Sequence, residues 1–187
     1  MPKQKLRQSM LARRRELTVM EAGVASQLIQ KAFIASAEFN VARMVGLYAP
    51  IHNEVDTEDV LVEALASSRT VFYPVVRGEK LEFRRVSAPG MLHAGAFGIP
   101  EPGGSCEVLD PREADLIVIP GIAFDVTGKR VGYGKGYYDR SLHQLEGRGK
   151  LVGFCYDFQL VEAIAGEPHD VTMDLLITEK RVIRPRD

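Results

Sequence analysis

The sequence predicts an α/β fold, a three-layer sandwich with a mainly parallel central sheet. Apolar runs of strand length alternate along the chain with segments of helical periodicity, as in βαβ architectures. Residues 115–120 (DLIVIP) form a continuous β-branched run, which is typical of a strand covered on both faces. The next 16 residues, 121–136, lack any period, and a loop of that length usually carries function. Ligands are therefore expected at the carboxyl ends of the strands.

The amino-terminal segment predicts two helices. A basic helix covers about residues 1–17 and ends at a break before Thr18. Thr18 and Glu21 form a capping box, in which each residue satisfies a backbone amide of the other, so a second helix begins here. Its apolar residues recur at helical spacing: Val24, Leu28, Ala32 and Phe33.

The middle of the chain predicts three strands. Residues 44–50 (MVGLYAP) are an apolar run that a proline ends, and residues 56–57 can cap the helix that follows. Residues 70–76 (TVFYPVV) predict a second strand, in which Pro74 implies a sheet edge or a bulge. Residues 81–86 alternate as a half-exposed strand does, and a glycine turn pairs them with the strand before.

The second half of the chain continues the alternation. Glycine and proline dominate residues 87–104, which predicts a loop positioned to cover a site. Residues 137–146 predict a helix and residues 151–156 a strand. Residues 160–164 predict a helix, and residues 174–178 the last strand.

The composition favours one globular domain across residues 1–187. Cys106 and Cys155 are the only cysteines, which excludes a disulfide framework and a zinc cluster and favours a reducing compartment. The sequence lacks the apolar run of a signal peptide, and no apolar stretch approaches the ~18 residues needed to span a bilayer. We therefore expect a cytoplasmic monomer without a membrane partner.

The charge is distributed unevenly. The net charge of −1 argues against a protein that wraps nucleic acid, yet residues 1–31 carry seven Lys or Arg against two Glu. In the basic helix, Lys3, Arg7 and Arg14 project within about 40° of one another. An apolar stripe lies beside them: Leu6, Met10 and Leu17. This basic face is interpreted as a solvated surface, a nucleic-acid contact or the edge of an anion site, and the near-neutral total charge weakens the second interpretation.

Four glycines fall within residues 128–136 (GKRVGYGKG), directly before a predicted helix. Alternate glycines allow φ > 0 and close backbone approach to a ligand, and their amides, with Arg130 and Lys135, favour an anion such as a polyphosphate. The spacing excludes a Walker loop, because Gly136 follows Lys135 where Ser or Thr is needed. It also excludes the dinucleotide fingerprint, because Tyr137 stands where the last glycine belongs. A flexible surface connection is the alternative interpretation.

Several carboxylates are candidates for polar or metal contacts. Glu54 follows a buried strand and is a better candidate for a substrate contact than Asp56, whose simpler role is helix capping. Asp139 and Asp174 suit Mg²⁺ beside a phosphate, although a helix-capping role for Asp139 stays open. No serine elbow, catalytic-cysteine signature or histidine metal spacing is present. Positioning and charge stabilisation, as in phosphoryl transfer, are therefore expected to supply the chemistry.

The order of these motifs resembles the 5-formyltetrahydrofolate cyclo-ligase family, also called methenyltetrahydrofolate synthetase. The resemblance spans essentially the whole chain through five segments: residues 3–7, NEVDT (53–57), GAFGIPEP (95–102), residues 115–140 and HDVTMDLLITEKRVI (169–183). Its specific parts are the GYGKGYYD loop and the terminal segment. It implies a fold like that of sugar-phosphate isomerases and CoA-transferases. It also implies the ATP- and Mg²⁺-dependent conversion of 5-formyltetrahydrofolate to 5,10-methenyltetrahydrofolate through a phosphorylated formyl (imidate) intermediate, with release of ADP and phosphate.

Carried over by position, the resemblance implies site residues. Those implied for ATP are Lys3, Gln4, Lys5, Leu6, Arg7, Arg130, Val131, Gly132, Tyr133, Gly134, Lys135, Gly136, Tyr137 and Tyr138. Those implied for the folate are Ala49, Glu54, Phe97, Tyr133, Gly134, Lys135, Gly136 and Tyr137. Asp139 and Asp174 would hold magnesium. Catalytic roles would fall to Glu54, which orients the pterin and N10 side, and to Arg130 and Lys135, which neutralise phosphate charge.

Two departures from the family pattern concern the shape of the pocket rather than the reaction. Val131 stands where Leu or Met is common, and Phe97 where Trp is common in some members. Two other classes of function stay open. One is an ATP-independent sugar-phosphate isomerase or CoA-transferase relative, which turnover without nucleotide would reveal. The other is a folate- or RNA-binding module, which would bind its ligand without consuming ATP.

Overall fold

A computed structural model describes residues 2–142, 149–166 and 170–185 of the chain. The α-helices of this part are α1 (Lys3–Glu16), α2 (Val19–Ile34), α3 (Ala37–Val41), α4 (Glu58–Ala66) and α5 (Tyr137–Leu142). The strands are β1 (Met44–Gly46), β2 (Thr70–Arg77), β3 (Lys80–Val86), β4 (Leu92–Ala94), β5 (Pro100–Pro102), β6 (Val108–Leu109), β7 (Leu116–Ile119), β8 (Ala123–Asp125), β9 (Arg130–Val131), β10 (Lys150–Phe154), β11 (Leu160–Val161), β12 (Leu175–Ile177) and β13 (Val182–Ile183).

An eight-stranded sheet organises the molecule, in the order β13-β12-β10-β7-β1-β2-β3-β6. The strands from β12 to β2 run parallel, and antiparallel strands complete both edges. β7 lies in the centre with every residue buried, as the β-branched run at residues 115–120 predicts. The α/β class with a mainly parallel sheet is thereby confirmed. The sequence pattern did not reveal β6 and β13, because two residues cannot show a period.

Successive residues of β7 pack into different cores, so both faces of the sheet are covered. Leu116 and Val118 belong to a cluster that includes apolar residues of α2 and α4. Ile117 and Ile119 belong to a second cluster, which includes Leu142 of α5. The arrangement is the predicted three-layer sandwich.

The capping box at the start of α2 is confirmed. The Thr18 amide donates to Glu21 Oε2 at 2.9 Å, and the Glu21 amide donates to Thr18 Oγ1 at 3.2 Å. The predicted apolar stripe is only partly right, because Phe33 is fully buried whereas Val24 and Leu28 are 55% and 48% exposed. Helical spacing identifies apolar positions on the helix but not which of them face the sheet.

Pro74 lies in the part of β2 that extends beyond the end of the neighbouring strand β1. The last backbone bond towards β1 runs from the Leu47 amide to the Phe72 carbonyl at 2.9 Å. Further along, the Val76 amide donates instead to the Glu101 carboxylate at 3.1 Å. Alternate residues present their backbone to the same side of a strand, so Pro74, which has no N–H, falls on this side. β2 is therefore an inner strand of the sheet that has an unpaired edge only in the part around Pro74.

Residues 121–136 contain a hairpin rather than an unstructured loop. β8 and β9 pair antiparallel, and Asp125 Oδ1 closes their turn by accepting the amides of Thr127 (2.9 Å) and Lys129 (3.1 Å). The helix predicted for residues 160–164 is wrong, because β11 lies there and pairs parallel with β8. Strands of two or three residues are too short to show their period in a sequence.

The helix predicted for residues 137–146 begins where expected, as α5. Its observed part ends at Leu142, and residues 143–148 lie outside the described part of the chain. None of the helices in the described residues is long and apolar enough to cross a membrane.

Glu38 of α3 is held by two cations from the carboxyl-terminal half. Arg184 forms a bidentate pair with it, at 3.0 and 3.2 Å, and Lys150 Nζ lies 3.5 Å from Oε1. The hydrogen bond from Arg184 lowers the pKa of Glu38 to about 2, against the opposing effect of burial. The stability that this pair contributes is therefore fully present above the usual pKa of 4.5 and is lost as the pH falls towards 2.

We expect Glu38→Gln to lower the free energy of unfolding at neutral pH by roughly 1–2 kcal/mol, because it removes a charge-assisted pair. The variant should also lose less stability than the wild type between about pH 5 and pH 2. Urea denaturation at a series of pH values measures both effects. A parallel decline of the two proteins would contradict the assignment.

Candidate active site

A cavity of about 500 Å³ opens at the carboxyl ends of the parallel strands. Ala49 after β1, Pro120 after β7 and Val76 in the outer half of β2 line it, together with parts of α1 and of residues 130–139. Phe97 and Ile99, from the segment predicted to cover a site, line it as well. This is the edge of the sheet at which the fold class predicts a ligand.

Most of the residues predicted for the site line this cavity. They are Lys3, Arg7, Ala49, Glu54, Phe97, Arg130, Val131, Gly132, Tyr133, Gly134, Lys135, Gly136, Tyr137, Tyr138 and Asp139. Gln4 and Lys5 face solvent instead, and Leu6 packs into the apolar cluster beneath α1. The reason is helical geometry, since Lys3 and Arg7 lie four positions apart on one face of α1, whereas Gln4 and Lys5 project away from it and Leu6 lies to one side.

Arg7 fastens α1 to the glycine loop, residues 128–136. Its Nε donates to the Gly132 carbonyl at 2.7 Å. Gly134 has φ +93°, and a Cβ there would lie 3.4 Å from Arg7 Cζ. A Cβ at that distance makes an ordinary van der Waals contact, so the left-handed backbone is what favours glycine at this position. The basic face of α1 borders the cavity.

Arg130 lies beside the cavity and is only 7% exposed. Its Nη2 donates to Asp139 Oδ1 at 2.7 Å, while its Nε has no hydrogen-bond partner among the described residues. Burial lowers the pKa of the guanidinium, and the Asp139 carboxylate opposes that effect. A buried guanidinium with unmet hydrogen-bonding capacity is suited to an anionic ligand.

Asp170, not Asp174, shares the cavity wall with Asp139. The amide following Asp170 donates to Asp139 Oδ1 at 3.4 Å, and Lys3 Nζ lies 3.1 Å from Asp170 Oδ2. Asp174 precedes β12 at the amino ends of the parallel strands, and its Oδ2 accepts the Leu151 amide at 2.8 Å. The predicted pairing of Asp139 with Asp174 is corrected, because the cavity opens at the opposite ends of these strands.

Glu54 is a buried carboxylate held by three groups. Its side chain accepts the Ile51 amide at 3.0 Å on Oε2 and the Tyr133 hydroxyl at 3.1 Å on Oε1. Arg14 Nη1 lies 3.8 Å from Oε1. Burial raises the pKa of Glu54, while Arg14 and the two hydrogen bonds oppose that rise. Burial also raises the pKa of Tyr133 to about 12, so its hydroxyl is protonated at neutral pH and can donate.

The rim of the cavity carries an aromatic ring under a cation. Phe97 is 70% exposed with a left-handed backbone, φ +58°. Lys135 Nζ lies 5.8 Å from the centroid of its ring, which is within cation–π range. Glu101, which no sequence motif indicates as a site residue, also lines the cavity. This exposed ring presents a flat apolar face to the opening.

The fold and the site together define an α/β protein with a small-molecule cleft at the carboxyl edge of its sheet. Four cations line the cleft, Lys3, Arg7, Arg130 and Lys135, and its wall also contains the buried carboxylate of Glu54 and several apolar groups. A family model described as the 5-formyltetrahydrofolate cyclo-ligase family matches residues 1–179, and the chain belongs to that family.

Relatives and solved structures agree with this membership. A 5-formyltetrahydrofolate cyclo-ligase of Mycolicibacterium smegmatis is 31% identical over 191 residues, which cover 97% of this chain and 95% of that protein. An NMR structure of the Aquifex aeolicus 5,10-methenyltetrahydrofolate synthetase matches with a TM-score of 0.89 at 38% identity, covering 100% of this chain and 94% of that one. The Mycoplasma pneumoniae synthetase matches with a TM-score of 0.79 at 28% identity, covering 96% and 99%.

Proposed function

We propose that this protein catalyses the ATP- and Mg²⁺-dependent cyclisation of 5-formyltetrahydrofolate to 5,10-methenyltetrahydrofolate, with release of ADP and phosphate. The observation that carries the proposal is a single cavity whose lining combines four cations with the buried Glu54 and apolar residues, which we divide into a cationic half and a half around Glu54. A polyanionic ligand and a mostly apolar ring system can thereby bind side by side in it. The names of the relatives from Mycolicibacterium smegmatis and Aquifex aeolicus support the substrate and the methenyl product of this proposal.

The cationic half suits a triphosphate. Four cations line it, and two of them are already positioned by carboxylates, Lys3 by Asp170 and Arg130 by Asp139. Fixed cations that need no reorganisation are the groups that stabilise charge in phosphoryl transfer. We therefore assign the ATP phosphates to this half.

Asp139 and Asp170 fit a magnesium ion that arrives with phosphate. Carboxylate oxygens are hard ligands, and Mg²⁺ usually takes one or two of them together with phosphate oxygens and waters. Among the described residues no group of three or more His, Cys, Asp or Glu is placed to hold a metal by itself, so this pair offers a partial set. When bound, the ion would neutralise phosphate charge.

The other half suits a flat, mostly apolar ring system with a few polar edges. Ala49, Ile51, Phe97 and Ile99 line it. Glu54 adds one fixed acceptor, which suits the N–H groups of a pterin. We therefore assign the folate to this half.

The proposed chemistry is two successive displacements. The formyl oxygen on N5 attacks the γ-phosphorus, the bond to the bridging oxygen breaks and ADP leaves. In the resulting phosphorylated imidate, positive charge is shared between N5 and the formyl carbon. N10 then attacks that carbon and loses its proton, and the carbon–oxygen bond to phosphate breaks. Inorganic phosphate and the methenyl bridge are the products.

The side chains of the cavity act on charge and alignment rather than by covalent attack. A formamide oxygen is a poor nucleophile, so holding it about 3–3.5 Å from the phosphorus must supply much of the acceleration. Arg130 and Lys135 neutralise the charge that develops on phosphate, and the Glu54 carboxylate stabilises the positive charge on the folate.

Asp170→Asn is expected to raise the Mg²⁺ concentration for half-maximal activity about tenfold or more, because it removes one of the two carboxylates. Asp174→Asn is the matched control, expected to leave the Mg²⁺ dependence unchanged. Magnesium titrations at saturating ATP measure the difference. Equal shifts in both variants would contradict the assignment of Asp170.

One assay tests the proposed function. Purified protein is given 5-formyltetrahydrofolate with and without Mg-ATP, while the methenyl product is followed by ultraviolet absorbance and ADP is measured in parallel. We expect product only with Mg-ATP, in equal amount to ADP. Product without nucleotide would favour an ATP-independent reaction, and binding without turnover would favour a folate-binding module.

A further inference from the structure

Arg14 lies behind the cavity wall and contacts three of the loops that build it. It is 1% exposed, so its charge is almost completely removed from water. Its Nε donates to the His52 carbonyl at 2.9 Å, and its Nη1 lies 3.5 Å from the Gly121 carbonyl. Its Nη2 donates to the Tyr133 hydroxyl. A charge buried this deeply is costly unless every partner is in place.

A hydrogen-bonded chain runs from Arg14 through Tyr133 to Glu54. The Tyr133 hydroxyl accepts from Arg14 and donates to Glu54 Oε1 at 3.1 Å. A hydroxyl that accepts from a cation becomes a stronger donor, so the two bonds reinforce each other. Because Tyr133 belongs to the glycine loop, the chain connects the proposed ATP half of the cavity with the proposed folate half.

The loop that carries Glu54 is also clamped to the end of α1. His52 and Asn53 both have left-handed backbones, with φ +50° and +57°. The Asn53 side-chain amide donates to the carbonyls of Arg14 (3.2 Å) and Leu17 (3.3 Å). Two successive non-glycine residues persist in this conformation only where their surroundings determine it. Here the surroundings are Arg14 and the helix end next to it.

We propose that Arg14 is a positioning residue that holds Glu54 and Tyr133 as one unit and so aligns the folate half of the cavity with the glycine loop. This inference rests on the proposed function. Arg14 does not line the cavity, and it acts through the two side chains that do.

The groups around Glu54 explain why the pH dependence of activity should depend on Arg14. Arg14 reaches it from α1, Tyr133 from the glycine loop, Tyr48 from the segment after β1 and Tyr138 from α5. Burial raises the pKa of all three tyrosines, so they stay protonated at neutral pH. Arg14 is then the group whose charge favours ionised Glu54. Without Arg14, Glu54 should take up a proton at higher pH.

The test compares Arg14→Gln and Arg14→Lys with Arg15→Gln, a control on the exposed side of the same helix. We expect Arg14→Gln to raise KM for 5-formyltetrahydrofolate about 10- to 100-fold, with a much smaller change in KM for ATP. The acid limb of kcat/KM for the folate should move to higher pH. Arg14→Lys should recover part of both effects, because it restores the charge without the planar fork.

The outcomes separate this inference from the proposed function. Wild-type protein that does not turn over 5-formyltetrahydrofolate overturns the function itself. Active wild-type protein together with an Arg14→Gln variant that keeps both KM values and the pH profile overturns the positioning role. If Arg14→Gln does not fold, Tyr133→Phe decides. A shift of its acid limb and folate KM in the same direction supports the chain, and unchanged values overturn it.

Discussion

Glu54→Gln is expected to reduce the rate of methenyl formation by about 10²- to 10³-fold while leaving ATP binding within about twofold of wild type. The amide keeps the size of the side chain and can still accept from the Tyr133 hydroxyl, which lies 3.1 Å from Oε1. It lacks the negative charge that we assign to stabilising the cationic folate. Because Glu54 is only 9% exposed, water cannot substitute for that charge.

Two measurements distinguish loss of the charge from loss of the fold. Thermal unfolding should show a folded variant of lower stability, since Arg14 loses its carboxylate partner but keeps the His52 carbonyl and the Tyr133 hydroxyl as acceptors. Titration with a nonhydrolysable ATP analogue should show that the glycine loop still binds nucleotide. Turnover equal to wild type would remove Glu54 from the mechanism, and loss of nucleotide binding would show that its effect is not confined to the folate half.

The sequence predicts the central elements of this fold because their patterns are long enough to read. The β-branched run at residues 115–120 identifies β7, and the Thr18 capping box identifies the start of α2. Short strands are different, since β9 and β11 have two residues each and gain their pairing from tertiary contacts. Periodicity therefore cannot detect them, and it predicted a helix where β11 lies.

In the candidate site too, residues of one contiguous motif can be predicted from the sequence, whereas residues that only the fold brings together cannot. The glycine loop is contiguous, so its lining residues are read from one motif. Which of Asp170 and Asp174 lies at the cavity depends on the direction of β12 in the sheet. Asp174 directly precedes this parallel strand and therefore lies at the edge of the sheet opposite the carboxyl ends. From the sequence alone, Arg14 is indicated only as part of a basic stripe with Lys3 and Arg7. Its burial depends on the loops that carry His52, Gly121 and Tyr133, which lie 38, 107 and 119 positions away.

Arg130→Met is expected to lower kcat/KM for ATP by about 10³-fold or more, which is the largest effect we expect on the nucleotide half. The guanidinium is the most deeply buried cation among those lining the cavity, and it is held by Asp139 at 2.7 Å. Methionine fills a similar volume without a charge. Arg130→Lys should recover only part of the loss, because an ammonium group cannot make the paired contacts of a guanidinium with phosphate.

The same substitution is expected to leave the melting temperature unchanged or to raise it. Burial removes the Arg130 charge from water, and its Nε has no hydrogen-bond partner within the described residues. We therefore expect the guanidinium to contribute nothing to the free energy of unfolding. Asp139, whose side chain is 20% exposed, keeps contact with water and with the amide at position 171 when the guanidinium is removed. Calorimetry and ATP kinetics on the same sample measure both quantities, with exposed Arg112→Met as the control. A variant that loses stability and activity together would indicate a structural ion pair. A stable variant without ATP-dependent turnover would show that Arg130 is retained for binding, at a site where stability alone would favour an apolar residue.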